Sequence, residues 1–505
     1  MEADVPEIRH AIERARIARA DIGIEYSHSR GSSLMSDTLR ERSEALREQL
    51  LGVDSAAAES SRRVGGIKSS IYTLISTMMG GGILSLPYAM QQAGLVCGCA
   101  LLLAICLASR LSLWLVLTTG CSLRAGSYEE MVALTLGRRS AEFVTAILIL
   151  LLWFVVVAYS ILLGDLLGPL LAFCARGYIS DAVVKSHAIL SLRSATMLAG
   201  HVAVFPVTSL PSITAMRVTS AISLSTTALL ALLISARSVA TMLARGSVLD
   251  SAAPISSALW PAGGVRGVLN SASIVAVSFL CHFNLLPVSE ELARPSKSRY
   301  RKIVDRTTAL GGVLYLCVGV LGFLQFAGTP GGVAGNILLN YPSSDLLINL
   351  GRLGLSLTVS IGIALMVHPL RAAIRRFLPP VWQPPTSQPS PALVDAETTA
   401  RLVAMGAIAA PAKRGVREVT EALFIQLTGL LAAIFIPEIT AVWSFMGSTV
   451  GLLIGYVIPA ACYLALRRWD SQTHLQNYRG AWVLAVVGAV LTVVCTVSTL
   501  TQYLL

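Results

Sequence analysis

The first chemical signal is a run of twelve residues, MGGGILSLPYAM, at positions 79 to 90. Met79, Gly80, Gly81 and Gly82 stand inside a long apolar stretch, and Pro87 follows them. Each glycine weakens a helix by about 1 kcal/mol relative to alanine, so a helix threading this stretch is set to unwind here. An unwound turn bares peptide groups. N–H groups at the start of the next helical half attract a carboxylate, and freed carbonyls hold a cation or an ammonium. The same small residues also serve close helix packing, and the glycines alone leave both readings open.

A second stretch, SFLCHFNLLPVSEEL, runs from Ser278 to Leu292. Ser278, Cys281, His282 and Asn284, candidate substrate-binding residues, lie in or beside this apolar run, and Pro287 follows. His282 is either a proton relay, because an imidazole titrates near neutrality, or a neutral, hydrogen-bonded member of the core. Interrupted segments at matching positions of two halves mark the substrate site of an inverted-repeat transporter. Tyr159, with Ser160 beside it, lies where a capping aromatic would close over a ligand.

These residues need elements to hold them at membrane depth, and the composition supplies such elements. Of 505 residues, 54% are hydrophobic and only 13% charged, with mean hydropathy +0.69; a soluble domain carries about 25% charged residues. Eleven apolar segments are long enough to cross a bilayer: 67–92, 94–119, 141–164, 190–209, 214–237, 267–289, 306–327, 351–373, 418–436, 439–466 and 481–504. The fourth is the weakest, because it holds Arg193, His201 and Pro206. The expected fold is an all-α polytopic membrane protein whose first and sixth spans, five apart, are broken.

The net charge of +11 follows topology rather than nucleic-acid binding. With the N-terminus in the cytoplasm, 31 Lys and Arg fall on that side and 7 on the other, Arg110 inside the second span completing the 39. Residues 1–64 read as a disordered cytosolic tail without a signal peptide; its serines from Ser27 to Ser36 could take phosphates, and the tail as a whole could recruit cytosolic partners. Residues 377–416 form a cytosolic insertion with six prolines between 379 and 391. The nine cysteines show no metal-ligand spacing. No paired ionisable residues of the kind an intramembrane enzyme needs are visible.

Arg110 either snorkels to the headgroups or has a functional partner. Asp165 is an outer gate or an interfacial group. Glu290 and Glu291 are expected to pair with the basic loop after them. No acidic group marks the pocket, which favours neutral over cationic substrates.

GGIKSSIYTLISTMMGGGILSLPYAMQQAGL resembles the first span of the amino acid/auxin permease family, in particular its sodium-coupled neutral amino acid transporter branch. FLCHFNLLPVSEEL is similar to that branch's sixth span, ALMVHPLRAAI (364–374) to the end of its eighth and SILLGDLLGPLL (160–171) to the end of its third. The resemblance extends from about 65 to 500 and implies eleven spans, a leucine-transporter-like 5+5 inverted repeat and secondary transport of amino acids. It implies substrate contacts from Met79 to Gly82 and from Cys281, His282 and Asn284. The family's sodium site uses an Asn in span one and a Thr in span eight. The matching positions here are Thr73 or Ser76, and Ser360 with Thr358 nearby, hydroxyls that can ligate a cation. The family's Pro-Glu after the sixth-span His is Phe283-Asn284 here. No cofactor is implied beyond a coupling ion, Na+ or H+. The membrane is the plasma membrane or a vacuolar or lysosomal one, and the sequence also permits an amino-acid sensor that signals through its tail.

Overall fold

A computed structural model of the chain describes residues 65–175, 192–209, 216–244, 259–261, 263–377, 416–466 and 477–503. The expected tail and nearly all of the Pro-rich insertion lie outside the described residues.

The described structure is helical. In chain order the helices are α1 (Ile67–Met78), α2 (Leu86–Ala93), α3 (Leu95–Leu123), α4 (Tyr128–Leu136), α5 (Arg138–Cys174), α6 (Leu192–Thr208), α7 (Met216–Ala244) and α8 (Gly264–Ser278). They continue with α9 (His282–Glu290), α10 (Lys297–Phe326), α11 (Leu346–Phe377), α12 (Val416–Phe435), α13 (Ile439–Met446), α14 (Ile458–Leu466) and α15 (Tyr478–Tyr503). Among the described residues nine helical segments are long and apolar enough to cross a membrane, α8 with α9 and α13 through α14 each counting as one. The total is ten when the bent pair Ile67–Met78 and Gly81–Ala93 is taken as one span. The remaining expected span is α6, whose 17 residues are about 25 Å of helix, short of the roughly 30 Å hydrocarbon layer.

The expected breaks are present. Span one bends by 50° between Met78 and Gly81. Gly80 is extended, at φ −72° and ψ −158°, and a 3-10 turn over Gly81–Ser85 leads into α2 with Pro87 in its first turn, where a missing N–H leaves nothing unpaired. The sixth span is interrupted at Phe279–Cys281, between α8 and α9. A third interruption was not anticipated. Between α13 and α14 the chain forms two π-helical turns, Gly447–Gly451 and Leu453–Val457.

Two long helices frame the breaks. The 37 residues of α5 measure about 55 Å, well beyond a hydrocarbon layer, and α5 packs more extensively against α11 than any other two helices do against each other. One apolar core joins α1, α5, α8, α9, α11 and α13. The outer surface is apolar as well: Val483, Val486, Val490, Val493 and Val497 make an exposed stripe at helical spacing along α15. A surface of that kind belongs against lipid.

The short helix α4 falls within what the hydropathy pattern leaves as a loop. Its N-terminus is capped from both sides: Ser127 Oγ accepts from Glu130 N at 3.1 Å, and the Glu130 carboxylate reaches back past the N-cap to accept from Gly126 N at 2.8 Å. Arg110 has a partner, Asp305 on α10, at 2.7 Å. An acidic–basic cluster joins α11 to α12, formed by Arg375 with Glu418 and Glu421, and Arg417 with Glu421.

Candidate functional site

Breaking a helix orphans the carbonyls of its last turn. Met78 ends α1 and Ser278 ends α8. Their carbonyls converge on one group, the hydroxyl of Tyr315 on α10, at 2.8 Å from Met78 O and 2.7 Å from Ser278 O. Tyr315 is fully buried, and its ring stands edge-on against Phe279 with centroids 5.0 Å apart. A hydroxyl has a single proton. It can therefore satisfy one of the two carbonyls at a time, which leaves acceptor capacity at the junction of the two breaks.

A cavity of about 60 Å³ opens beside this junction. Since one water needs roughly 10–15 Å³ measured this way, the space suits a handful of non-hydrogen atoms. Gly80, Gly82, Tyr159 and Ser278, all expected site residues, line it. Thr77, Met78, Val277, Leu280 and Phe283 complete the walls from the broken spans; Leu151, Leu152 and Val155 come from α5, Met366 from α11, and Trp443 and Met446 from α13. Trp443 Nε1 is buried and makes no hydrogen bond among the described residues.

Met79, Gly81 and Cys281 are buried behind these walls. Asn284 acts indirectly, its amide donating to Thr77 Oγ1 at 3.1 Å and so tying α9 to α1. His282 is fully buried, but neither ring nitrogen has a hydrogen-bond partner among the described residues. It faces the π-helical stretch, with its ring 6.0 Å from that of Tyr456. The hydrogen-bonded core role open to it on sequence is therefore not the one found. Carbonyls in the π stretch take donors from outside their own helix: Ser112 Oγ on α3 donates to Gly455 O, and Tyr128 Oη on α4 donates to Ile454 O at 2.8 Å.

The expected cation ligands occupy two places. Thr73 Oγ1 donates to Ser69 O at 3.1 Å and Thr358 Oγ1 to Gly354 O at 3.2 Å, the latter hydroxyl also bonding Thr226 at 2.5 Å. Ser76 and Ser360 make no side-chain hydrogen bond among the described residues, and none joins the α1 hydroxyls to those of α11.

Beyond α2 the site is covered. Ser85 Oγ donates to Gly335 O at 2.7 Å and Val333 N to Gln91 Oε1 at 2.5 Å, pinning the 331–345 loop on span one. Arg352, fully buried, holds this loop by donating to Leu338 O at 2.6 Å and Tyr341 O at 3.0 Å. Asn336 in the loop reaches Asp165 at 3.4 Å, and Asp165 is ion-paired with Arg193 of α6 at 2.9 Å, both carriers buried. At the opposite end, Gly65 exchanges backbone hydrogen bonds with Glu291 and Ala293 at 2.8 and 2.9 Å, joining the start of span one to the end of α9.

Residues 63–503 match the family described as transmembrane amino acid transporter protein. A putative amino acid transporter of Toxoplasma gondii is 27% identical over 60% of this chain, which spans only 40% of that relative's length. The putative sodium-coupled neutral amino acid transporter 11 of Mus musculus is 22% identical over 92% of this chain and 90% of its own length. Vacuolar amino acid transporter 6 of Saccharomyces cerevisiae is 26% identical over 62% of this chain and 67% of its own. In structure the chain resembles MhsT, crystallised in complex with L-phenylalanine, with TM-score 0.52 over 85% of this chain and 98% of that one, at 14% identity.

Proposed function

The chain belongs to the transmembrane amino acid transporter family, and from that premise we propose that it is a secondary active transporter of neutral amino acids. It works by alternating access through eleven spans arranged as a 5+5 inverted repeat, with the N-terminus in the cytosol. The observation that carries the proposal is the meeting of two broken helices at one cavity, where the carbonyls of Met78 and Ser278 share a single hydroxyl.

A zwitterion matches that arrangement. Its ammonium brings three donors to a junction short of donors. Its carboxylate faces the N–H groups that open the helical half after Gly80. Its side chain meets Tyr159, Met366, Trp443 and Met446, an apolar wall without a charged group, which favours a neutral substrate. The latch from Asp165 to the 331–345 loop then keeps the non-cytosolic side shut. Release towards the cytosol follows the Thr77, Leu151 and Phe283 side of the cavity.

The coupling ion is Na+ or H+. For sodium, Thr73, Ser76, Thr358 and Ser360 offer hydroxyl oxygens, and two of these have protons already committed to backbone carbonyls, leaving lone pairs for a cation. The test is uptake of labelled neutral amino acids into proteoliposomes with sodium and pH gradients imposed separately. Uptake driven by either gradient supports transport. Binding without flux under both refutes it in favour of a sensor.

A further inference from the structure

A chain of buried polar side chains crosses from α5 to α12 and belongs to no wall of the cavity. Ser160 follows Tyr159 on α5. Its Oγ lies 2.7 Å from Val156 O and 2.7 Å from Nε2 of His201 on α6. Nδ1 of His201 lies 3.1 Å from Oε1 of Gln426 on α12. The Gln426 amide nitrogen donates to Thr208 Oγ1, whose own proton goes to Phe205 O at 2.9 Å. Ser160, His201, Thr208 and Gln426 are all at most 4% exposed.

Counting protons shows which charges this arrangement can hold. The Gln426 carbonyl only accepts, so Nδ1 donates to it. The single Ser160 proton has two acceptors within reach, Nε2 and Val156 O. Given to Nε2, it completes the neutral ring. Turned to Val156 O, it leaves a lone pair facing Nε2, which then donates, and an imidazole that donates at both nitrogens is the cation. The ring thus has partners on both sides with or without the extra proton. An ionisable group so provided for at membrane depth is rare and marks a functional site.

We propose that His201 is the site of a coupled proton, bound as imidazolium between Ser160 and Gln426 and released when the Ser160 hydroxyl turns from Val156 O to Nε2. The proposal rests on the transport reading above. The ionisable groups on the elements packed against α6 include Arg138, Arg139, Glu142, Tyr159, Asp165 and Cys174 on α5, Arg193 on its own helix and Arg352 on α11. They also include His368, Arg371 and Arg375 on α11 and Arg417, Glu418 and Glu421 on α12. None of these bonds the ring among the described residues, and Asp165 is held by Arg193. Beyond Thr208, Arg371 ties α6 to α12 by donating to the backbone carbonyls of Thr208 at 3.1 Å and Glu418 at 3.2 Å. Ser160 links the ring to the substrate through Tyr159, its neighbour on the cavity wall.

The test is sodium-free uptake of labelled alanine into proteoliposomes. With one proton per substrate, an inward gradient of two pH units supports up to about hundredfold accumulation, a factor of ten per unit. His201→Gln keeps two hydrogen-bonding groups and gives up the titratable ring. It is expected to lose gradient-driven accumulation while still exchanging labelled for unlabelled alanine at symmetric pH. Gln426→Met removes an acceptor that binds the charged ring more strongly than the neutral one and is expected to move half-maximal uptake up to about one pH unit towards acid. Wild-type exchange without response to the pH gradient, or accumulation by His201→Gln equal to wild type, overturns the proton site and leaves transport standing. If the wild type neither exchanges nor accumulates, transport fails, and 15N-histidine NMR decides the site. A resonance absent from His201→Gln that titrates between pH 4 and 8 supports it, and one that is neutral throughout overturns it. Should His201→Gln not elute as a monodisperse protein, Ser160→Ala is read in its place.

Discussion

Tyr315→Phe removes one oxygen from the centre of the site and leaves the ring packed on Phe279. Two carbonyls that share one donor then have none, and both lie at the ends of broken helices, where no backbone N–H is in register to replace it. Leaving a buried acceptor unsatisfied costs about 1–3 kcal/mol. Interhelical hydrogen bonds in membranes measure lower, about 0.6 on average and up to about 1.7 kcal/mol. The two ranges overlap at about 1–2 kcal/mol, and that is the expected loss of stability without substrate, read by unfolding in detergent. Substrate should reverse it. If the amino acid's ammonium docks on these carbonyls, it supplies the donor that the variant lacks and no longer competes with the tyrosine hydroxyl. Affinity for alanine should then rise by up to about 5–30-fold, the same energy at about 1.4 kcal/mol per factor of ten. Calorimetric titration of wild type and variant measures it. Weaker binding in the variant would refute the placing of the ammonium at Met78 and Ser278, and unchanged substrate-free stability would refute the shared hydrogen bond itself.

Gly447→Ala should be among the most damaging single-methyl additions in the chain, because a Cβ there would lie 1.9 Å from the backbone oxygen of Ser273. Spans six and ten must separate to admit it, at a cost of at least about 1–3 kcal/mol, visible as reduced yield and a lower unfolding temperature. Trp443→Phe should do the reverse, leaving stability within about 0.5 kcal/mol because the indole N–H has no partner among the described residues to lose. If that N–H serves the substrate, KM for a neutral amino acid rises roughly 2–10-fold, the value of one net hydrogen bond.

What the sequence made legible was whatever stands out against an apolar background. Three adjacent glycines, a proline and isolated polar groups cannot hide in a membrane helix, so both breaks and Tyr159 were visible in one dimension. The converging groups were not. Tyr315 reads as one more core aromatic until α10 is known to pass between Met78 and Ser278. His201 and Gln426 are 225 positions apart, and Arg110 and Asp305 are 195 apart, so no spacing rule joins them. The π-helical stretch did leave a trace, in Gly447, Gly451 and Gly455 at intervals of four, a small-residue stripe of the kind that admits close backbone approach. Helix α4 left one in Ser127 and Glu130, which hydropathy alone passes over.

The glycine run shows why packing and binding were inseparable as readings of the first motif. A side chain at Gly80 would stand 2.9 Å from the Tyr159 hydroxyl, at Gly81 2.3 Å from Leu162 and 3.2 Å from the Trp443 ring, and at Gly82 2.8 Å from Ser278 Oγ. Three consecutive positions thus meet three different spans, which is close packing in the strict sense. Yet Tyr159, Trp443 and Ser278 are also cavity walls. Three consecutive residues face three directions even in a regular helix, about 100° apart, so the extended backbone of Gly80 is a separate feature. Glycine permits both, the close approach and the unwinding, and the unwinding frees the carbonyl that the hydroxyl of Tyr315 only half satisfies. Substituting any one of these glycines would therefore disturb the pocket wall and the backbone acceptor together.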